Sequence, residues 1–243
     1  MRRIPAQQIT SWSFSRYSTY KLCPLKAKFK FIDKIAEPGN AAMQRGADVH
    51  DNCEGYIKGS VRALPPECKV FKGEFQRLRK LYKKAHETMV VEDTWAFTKD
   101  WNETQWDDWV HCWVRIKLDC AFHEDAETLV VYDWKTGKYR PQQNEDYLEQ
   151  LELYALAALL LHEHIEEVHP KLVYLDASVI YPDDESIDLV YTRKDIPDLK
   201  KAWEKRVRPM LSDKAFAPRP NNLCSWCHYR ADNKANGGGQ CKF

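Results

Sequence analysis

VRIKLDCAFHEDAETLVVYDWKTGK, residues 114–138, reads as two short strands joined by a polar turn. Ile116 to Asp119 ends one apolar-alternating run, the acid-rich HEDAET supplies the turn, and Leu129 to Trp134 is a β-branched and aromatic run. Asp119 and Asp133 therefore fall on paired strands. In a hairpin their carboxylates approach closely, which costs energy unless a cation lies between them. Lys135 lies two residues beyond Asp133, so period-2 alternation points both side chains to one face. Two acids and an ammonium around one point suit metal-assisted hydrolysis of a phosphodiester. The carboxylates hold one or two Mg²⁺ or Mn²⁺, the metal makes hydroxide available near neutral pH, and the lysine neutralises charge growing on the phosphorus oxygens. Taken alone, an Asp or Lys at a strand end is more often a solvated edge residue.

The remaining sequence sets the frame. A chain of 243 residues can build one sizeable α/β domain with its own core, and 1–243 is read as one domain. With 44% hydrophobic and 30% charged residues the composition is that of an ordinary globular protein. A formal charge of +1 gives no global basic signature, so a nucleic-acid surface has to be a local patch. MRRIPAQQITSW lacks the apolar centre of a signal peptide and no long apolar run follows, so neither a signal peptide nor a membrane span is expected. The expected compartment is the cytoplasm, where eight cysteines argue for thiols or metal ligation rather than a disulfide framework.

Asp119, then Asp133-Trp134-Lys135-Thr136-Gly137, then Gln150-Leu-Glu-Leu-Tyr154, with Gly46-Ala-Asp-Val-His50 upstream, resembles the PD-(D/E)XK nuclease superfamily. The similarity is to its RecB-like branch, which also holds CRISPR-associated adaptation nucleases, AddB-type domains and members with a four-cysteine iron–sulfur cluster. The pieces run in family order from about Ser13 to Cys241, and a phage origin is compatible with them. The resemblance implies Asp119 and Asp133 as metal ligands, joined by the Trp134 backbone carbonyl and by His50. It implies Lys135 as the residue that orients water and stabilises the transition state, and Gln150 with Tyr154 as the substrate-positioning QxxxY pair. Read without it, Gln150 and Tyr154 are an i, i+4 hydrogen-bond pair on one helix face, and His50 is a lone helical histidine.

Along the chain, Thr10–Leu22 predicts a short helix capped by Ser13 or Ser15, and Cys23-Pro24 ends it before Leu25–Ile35, where Lys26, Lys28 and Lys30 interleave with aromatics. Ala41–Lys58 reads as a helix, as does the basic amphipathic Phe71–Glu87, whose cations are the best candidate for a backbone-contacting surface, a solvated helix face being the default reading. Met89–Phe97 reads as the first core strand. Glu92 on it stands where members of the branch often carry an acid, and is taken as a residue behind the ligands. Trp95, Trp101, Trp106 and Trp109 follow, and such aromatics are more often core or lid than a platform for bases. The helix Glu145–His164, a strand Lys171–Tyr181 with Ile187–Tyr191 as its hairpin partner, and a helix Asp195–Leu211 complete the pattern.

Cys224-Ser-Trp-Cys227 with Cys241 is compatible with a redox pair, half a zinc site or part of an iron–sulfur site. The resemblance implies a [4Fe–4S] cluster held by Cys23, Cys224, Cys227 and Cys241. The last gap is longer than usual in the family, and a Zn²⁺ site that borrows His228 is the rival. Cys53, Cys68, Cys112 and Cys120 have no ligand-like spacing and read as buried small hydrophobes.

Together these readings give an α/β fold with a restriction-endonuclease-like core. A mixed central sheet is flanked by helices, with a helical insertion at 41–88 and a cysteine-bound cluster joining the N- and C-terminal segments. The expected activity is Mg²⁺- or Mn²⁺-dependent DNA cleavage, as an exonuclease. The alternative is a DNA-binding adaptor within a recombination or spacer-acquisition complex. DNA is the expected partner, helicase or recombination proteins are further ones, no membrane is involved, and self-association is left open.

Overall fold

Six strands form one mixed sheet: β1 (Met89–Phe97), β2 (Val114–His123), β3 (Thr128–Lys135), β4 (Glu167–Tyr174), β5 (Val179–Tyr181) and β6 (Tyr191–Thr192). The order is β1-β2-β3-β4-β5, with β6 also on β4. The computed structural model describes residues 8–182, 189–234 and 237–243. Residues 40–201, which hold the whole sheet, form one unit, and residues 1–39 with 202–243 form another. Among the described residues no helix is long and apolar enough to cross a membrane.

The antiparallel pairs β1/β2 and β2/β3 are joined to the rest by the parallel pair β3/β4. A parallel step needs a crossover, and α5 (Asn144–Leu161) supplies it. Ten of its side chains, from Tyr147 to Leu159, are buried, so it is apolar on nearly every face rather than along one stripe. Two further helices of this unit are α3 (Ala41–Lys58) and α4 (Lys72–Lys84). The Asn40 side chain accepts from the Met43 N–H at 2.9 Å to start α3, and Gly59, at φ +92°, ends it in the left-handed conformation that only glycine adopts freely. Val49, Cys53 and Ile57 of α3 and Phe75 and Leu78 of α4 pack on Cys120, Phe122, Tyr132 and Trp134 of the sheet.

Several expected boundaries move for identifiable reasons. The run Lys171–Tyr181 is a hairpin rather than one strand: Leu175 to Ser178 form the turn, with Ser178 at φ +58°, and β5 folds back on β4. The expected partner Ile187–Tyr191 begins outside the described residues; its end continues as β6, which pairs with the start of β4. The basic helix stops at Lys84, where Ala85 leaves helical geometry. Two of its cations are used in packing: Arg77 lies 4.6 Å from the Phe122 ring centre and Arg79 4.6 Å from that of Tyr56. Lys72, Lys80, Lys83 and Lys84 remain exposed.

The second unit carries α1 (Phe14–Leu22), α2 (Pro24–Ala27), a π-turn at Lys28–Ile32, and the part of α6 (Ile196–Ser212) from Ala202 onward. The Ser13 hydroxyl caps α1 by accepting from the Arg16 N–H, and Pro24 opens α2 where its missing N–H costs nothing.

Phe75 is fully buried with its ring centre 5.0 Å from that of Trp134, the residue between Asp133 and Lys135. Phe75→Ala should lower stability by about 3–5 kcal/mol, read as a shift in the urea unfolding midpoint with an unchanged slope.

Candidate active site

The β2/β3 ladder runs from His123↔Leu129 to Cys120↔Tyr132, and one more step along both strands places Asp119 beside Asp133. At that step a side chain replaces the backbone ladder, since Asp119 Oδ2 accepts from the Trp134 N–H at 2.5 Å. Both aspartates are only 5% exposed. Burial and the charge on Asp133 push the Asp119 carboxyl up, to about 6, in spite of its hydrogen bond to His50.

Each remaining site residue arrives on a different element. His50 sits on α3, where a Cβ on Gly46 would stand 3.4 Å from Thr136 Oγ1, so this helix passes close to the end of β3. The His50 Nδ1 lies 3.1 Å from Asp119 Oδ1 and 3.5 Å from Glu92 Oε1. Burial alone lowers the His50 pKa, but the hydrogen bonds to Asp119 and Glu92 outweigh it and raise the value to about 10. Lys135 Nζ is 2.5 Å from Asp133 Oδ2, which places the two residues on one face as the alternation requires. From α5, the Tyr154 hydroxyl donates to Asp133 Oδ1 at 2.6 Å, and Gln150 Nε2 donates to the Tyr154 oxygen at 2.9 Å and to Asp133 Oδ1 at 3.4 Å. The QxxxY pair therefore bonds within itself and also holds one oxygen of Asp133.

Glu92 is a ligand candidate in its own right. Ligand atoms of His50, Glu92 and Asp119 all lie within 4.8 Å of one another, the only such group of three His, Cys, Asp or Glu among the described residues. The register Val91↔Cys120 and Asp93↔Leu118 sets Glu92 opposite Asp119, and Glu92 takes φ +52°, a left-handed value rare for a non-glycine residue and common at functional sites. Its other oxygen pairs with Lys117 at 2.8 Å. In sequence Glu92 is one of two adjacent acids in an apolar run, and only the pairing with β2 tells it from Asp93. One imidazole and several carboxylates form a donor set suited to Mg²⁺ or Mn²⁺. A divalent ion there would offset the like charges that Asp119, Asp133 and Glu92 bring together.

The 1–39/202–243 unit holds the four cysteines. Cys23, Cys224, Cys227 and Cys241 all line one cavity of about 230 Å³ together with Leu22, Phe29 and Tyr229, and all four are free thiols. The backbone N–H groups of Arg219 and Asn221 point at Cys23 Sγ (3.5 Å) and Cys224 Sγ (3.3 Å). His228 is not among the residues lining the cavity. The other four cysteines, 53, 68, 112 and 120, are buried.

A buried carboxylate cluster facing a lysine and a histidine suits a divalent-metal hydrolase of phosphate esters. Residues 11–231 match the family model of the PD-(D/E)XK nuclease superfamily. The chain belongs to that superfamily and is a metal-dependent nuclease, its mixed sheet flanked by helices being the restriction-endonuclease-like core. Among solved structures it is similar to a candidate exonuclease from Eubacterium rectale, at 11% identity and TM-score 0.46 over 91% of this chain and 88% of that one. It is also similar to SSO0001, at 13% identity and TM-score 0.42 over 95% and 88%. No curated protein matches the chain.

A raised histidine pKa means that the folded protein binds the proton more tightly. The His50 contribution to stability is therefore whole below the ordinary 6.5 and is lost as pH climbs through about 10. In EDTA, the urea midpoint of the wild type should fall between pH 7 and 10 relative to that of His50→Ala. Parallel curves for the two proteins would contradict the assignment.

Proposed function

We propose that the protein hydrolyses DNA phosphodiester bonds with one or two Mg²⁺ or Mn²⁺ ions, as an exonuclease acting at or near an end. The observation that carries this reading is the convergence of His50, Glu92 and Asp119 beside the Asp133–Lys135 pair. His50, Glu92, Asp119, Asp133 and the Trp134 carbonyl would hold the ions. A metal bound there supplies a hydroxide near neutral pH and a Lewis acid for the phosphoryl oxygens.

The chain's own side chains do the rest. Lys135 orients the attacking water and neutralises charge on the phosphorus oxygens. Tyr154 and Gln150 keep Asp133 in one orientation and lie along the path of the scissile strand. Lys117 holds Glu92, whose other oxygen is then free to turn toward an ion. An end-acting mode rests on the resemblance to the RecB-like branch, and a helicase partner would supply unwound ends.

The four cysteines support a second proposed site, a [4Fe–4S] cluster. They share one cavity, two of the sulfurs accept backbone N–H bonds of the kind that tune such clusters, and all four are free. A single zinc ion with Zn–S bonds of about 2.3 Å would draw four sulfurs to roughly 3.8 Å of each other. Metal content and colour separate such a zinc site from a cluster.

End-labelled DNA incubated with Mn²⁺ tests the nuclease. Asp133→Ala and Lys135→Ala should each lose at least roughly 100-fold in rate while keeping the wild-type circular dichroism spectrum. A fully active Lys135→Ala protein would refute the mechanism, and binding without cleavage by the wild type would favour the adaptor role. Protein purified without oxygen should be brown, and Cys227→Ala colourless; a colourless wild type that carries zinc would overturn the cluster.

A further inference from the structure

Between β1 and β2 the chain makes a loop, residues 98–113, that leaves three large apolar side chains in water. Trp109 is 79% exposed, Val110 83% and Trp106 38%. The loop is held in one shape. Asp108 accepts from the N–H groups of Val110 and His111 and from the Thr104 hydroxyl, so the turn that carries Trp109 is closed on both sides. Exposed indole on a fixed turn is costly in water and offers a rigid flat surface at little cost in conformational entropy.

What lies beneath the aromatics points to the occupant. The Arg115 guanidinium stands 4.7 Å from the Trp109 ring centre and 5.8 Å from that of Trp106, and its Nε donates to the Trp106 carbonyl at 2.9 Å. Arg115, Lys117 and Asp119 are alternate residues of β2, so they share one face of that strand. The Lys117–Glu92–His50–Asp119 contacts show that this face leads into the metal-ligand group. Lys117 is 63% exposed at its side chain, halfway along. From Arg115 to Asp119 is about 13 Å at 3.3–3.4 Å per residue.

An aromatic surface on an arginine, then a lysine, then a carboxylate cluster fits one chemistry: a polyanion that also presents flat apolar rings. We propose that Trp109, with Trp106 and Arg115, is a stacking shelf for an unpaired base of a single-stranded nucleic acid, whose backbone passes Lys117 on its way to Asp119 and Asp133. The proposal rests on the nuclease reading for what lies at the end of the track, and it names the substrate form. A duplex hides its ring faces in its own stack, whereas every base of a single strand has a free face, so the shelf selects strandedness and tolerates any sequence. At a stacked rise of about 3.4 Å per nucleotide, the stretch of β2 from Arg115 to Asp119 corresponds to about four nucleotides.

Binding of a dye-labelled 15-nucleotide single strand and of the corresponding duplex, followed by fluorescence anisotropy in EDTA, separates the cases without cleavage. Trp109→Ala should weaken the single strand roughly 10-fold and leave the duplex unchanged, and Trp109→Phe should keep most of the affinity. Turnover of thymidine 5′-p-nitrophenyl phosphate, too short to reach the shelf, should be the same in all three proteins. Equal single-strand affinity of the wild type and Trp109→Ala overturns the shelf. So does sedimentation showing a wild-type dimer that Trp109→Ala dissociates, since a second copy would then cover these aromatics. A wild type that binds the single strand through Trp109 but never cleaves would instead sink the nuclease reading and leave the shelf standing.

Discussion

Three carboxylates that burial forces together, Asp119, Asp133 and Glu92, set the terms for the unit built on residues 40–201. Burying one charge without a partner costs several kcal/mol, and like charges in a low-dielectric pocket raise that cost further. Three cations from three elements meet it: His50 from α3, Lys117 from β2 and Lys135 from β3. Each acid has its own cationic contact, which is why the fold tolerates the cluster. The same arrangement explains why His50 carries a proton so far above its usual range. The imidazolium occupies, in charge, the position that a divalent ion would take.

That balance makes the supporting hydrogen bonds matter. Asp119 spends one oxygen on the Trp134 N–H and presents the other to His50, and Asp133 spends one on Tyr154 and presents the other to Lys135. Each aspartate thus has one oxygen held by a neutral donor and one facing a cation. Burial pushes the Tyr154 hydroxyl well above its ordinary range, so it stays a donor across the pH range in which the site would work. A rigid shell of this kind sets ligand orientation before any ion arrives, which lowers the cost of capturing one.

The sequence was legible where chemistry and local pattern coincide. Asp133 and Lys135 share a strand face because two residues separate them, and Gln150 and Tyr154 share a helix face because four do. Neither inference needs tertiary structure. The bounds of α3 and β1 were equally readable, one from Asn40 and Gly59 and the other from a β-branched and aromatic run. Glu92 was not readable as a ligand, because its role depends on the β1/β2 register and on a positive φ, and neither is encoded in a local window. The hairpin inside 171–181 was missed for a related reason. Asp176-Ala-Ser178 is too short a turn signal to interrupt an otherwise strand-like stretch.

The unit that holds the cysteines faces a different constraint, one of chain entropy. Its two segments are separated by the 162 residues from 40 to 201, and bringing the ends of such a loop together costs about 4.5 kcal/mol beyond a constant term. Aromatic contacts between the segments offset it. Trp12 stacks on Trp203 at 5.2 Å, Tyr17 meets Trp203 at 5.5 Å, Phe29 meets Tyr229 at 5.2 Å, and the Tyr229 hydroxyl donates to the Ile35 carbonyl at 2.9 Å. At roughly 0.5–1.5 kcal/mol per aromatic pair beyond area burial, three such pairs return about 1.5–4.5 kcal/mol, at most the length-dependent loop term. Cys23 lies on the first segment and the other three cysteines on the second, so a cluster bound to all four would bridge this same divide. A group bound by the folded site and not by the unfolded chain would add its binding free energy to these contacts.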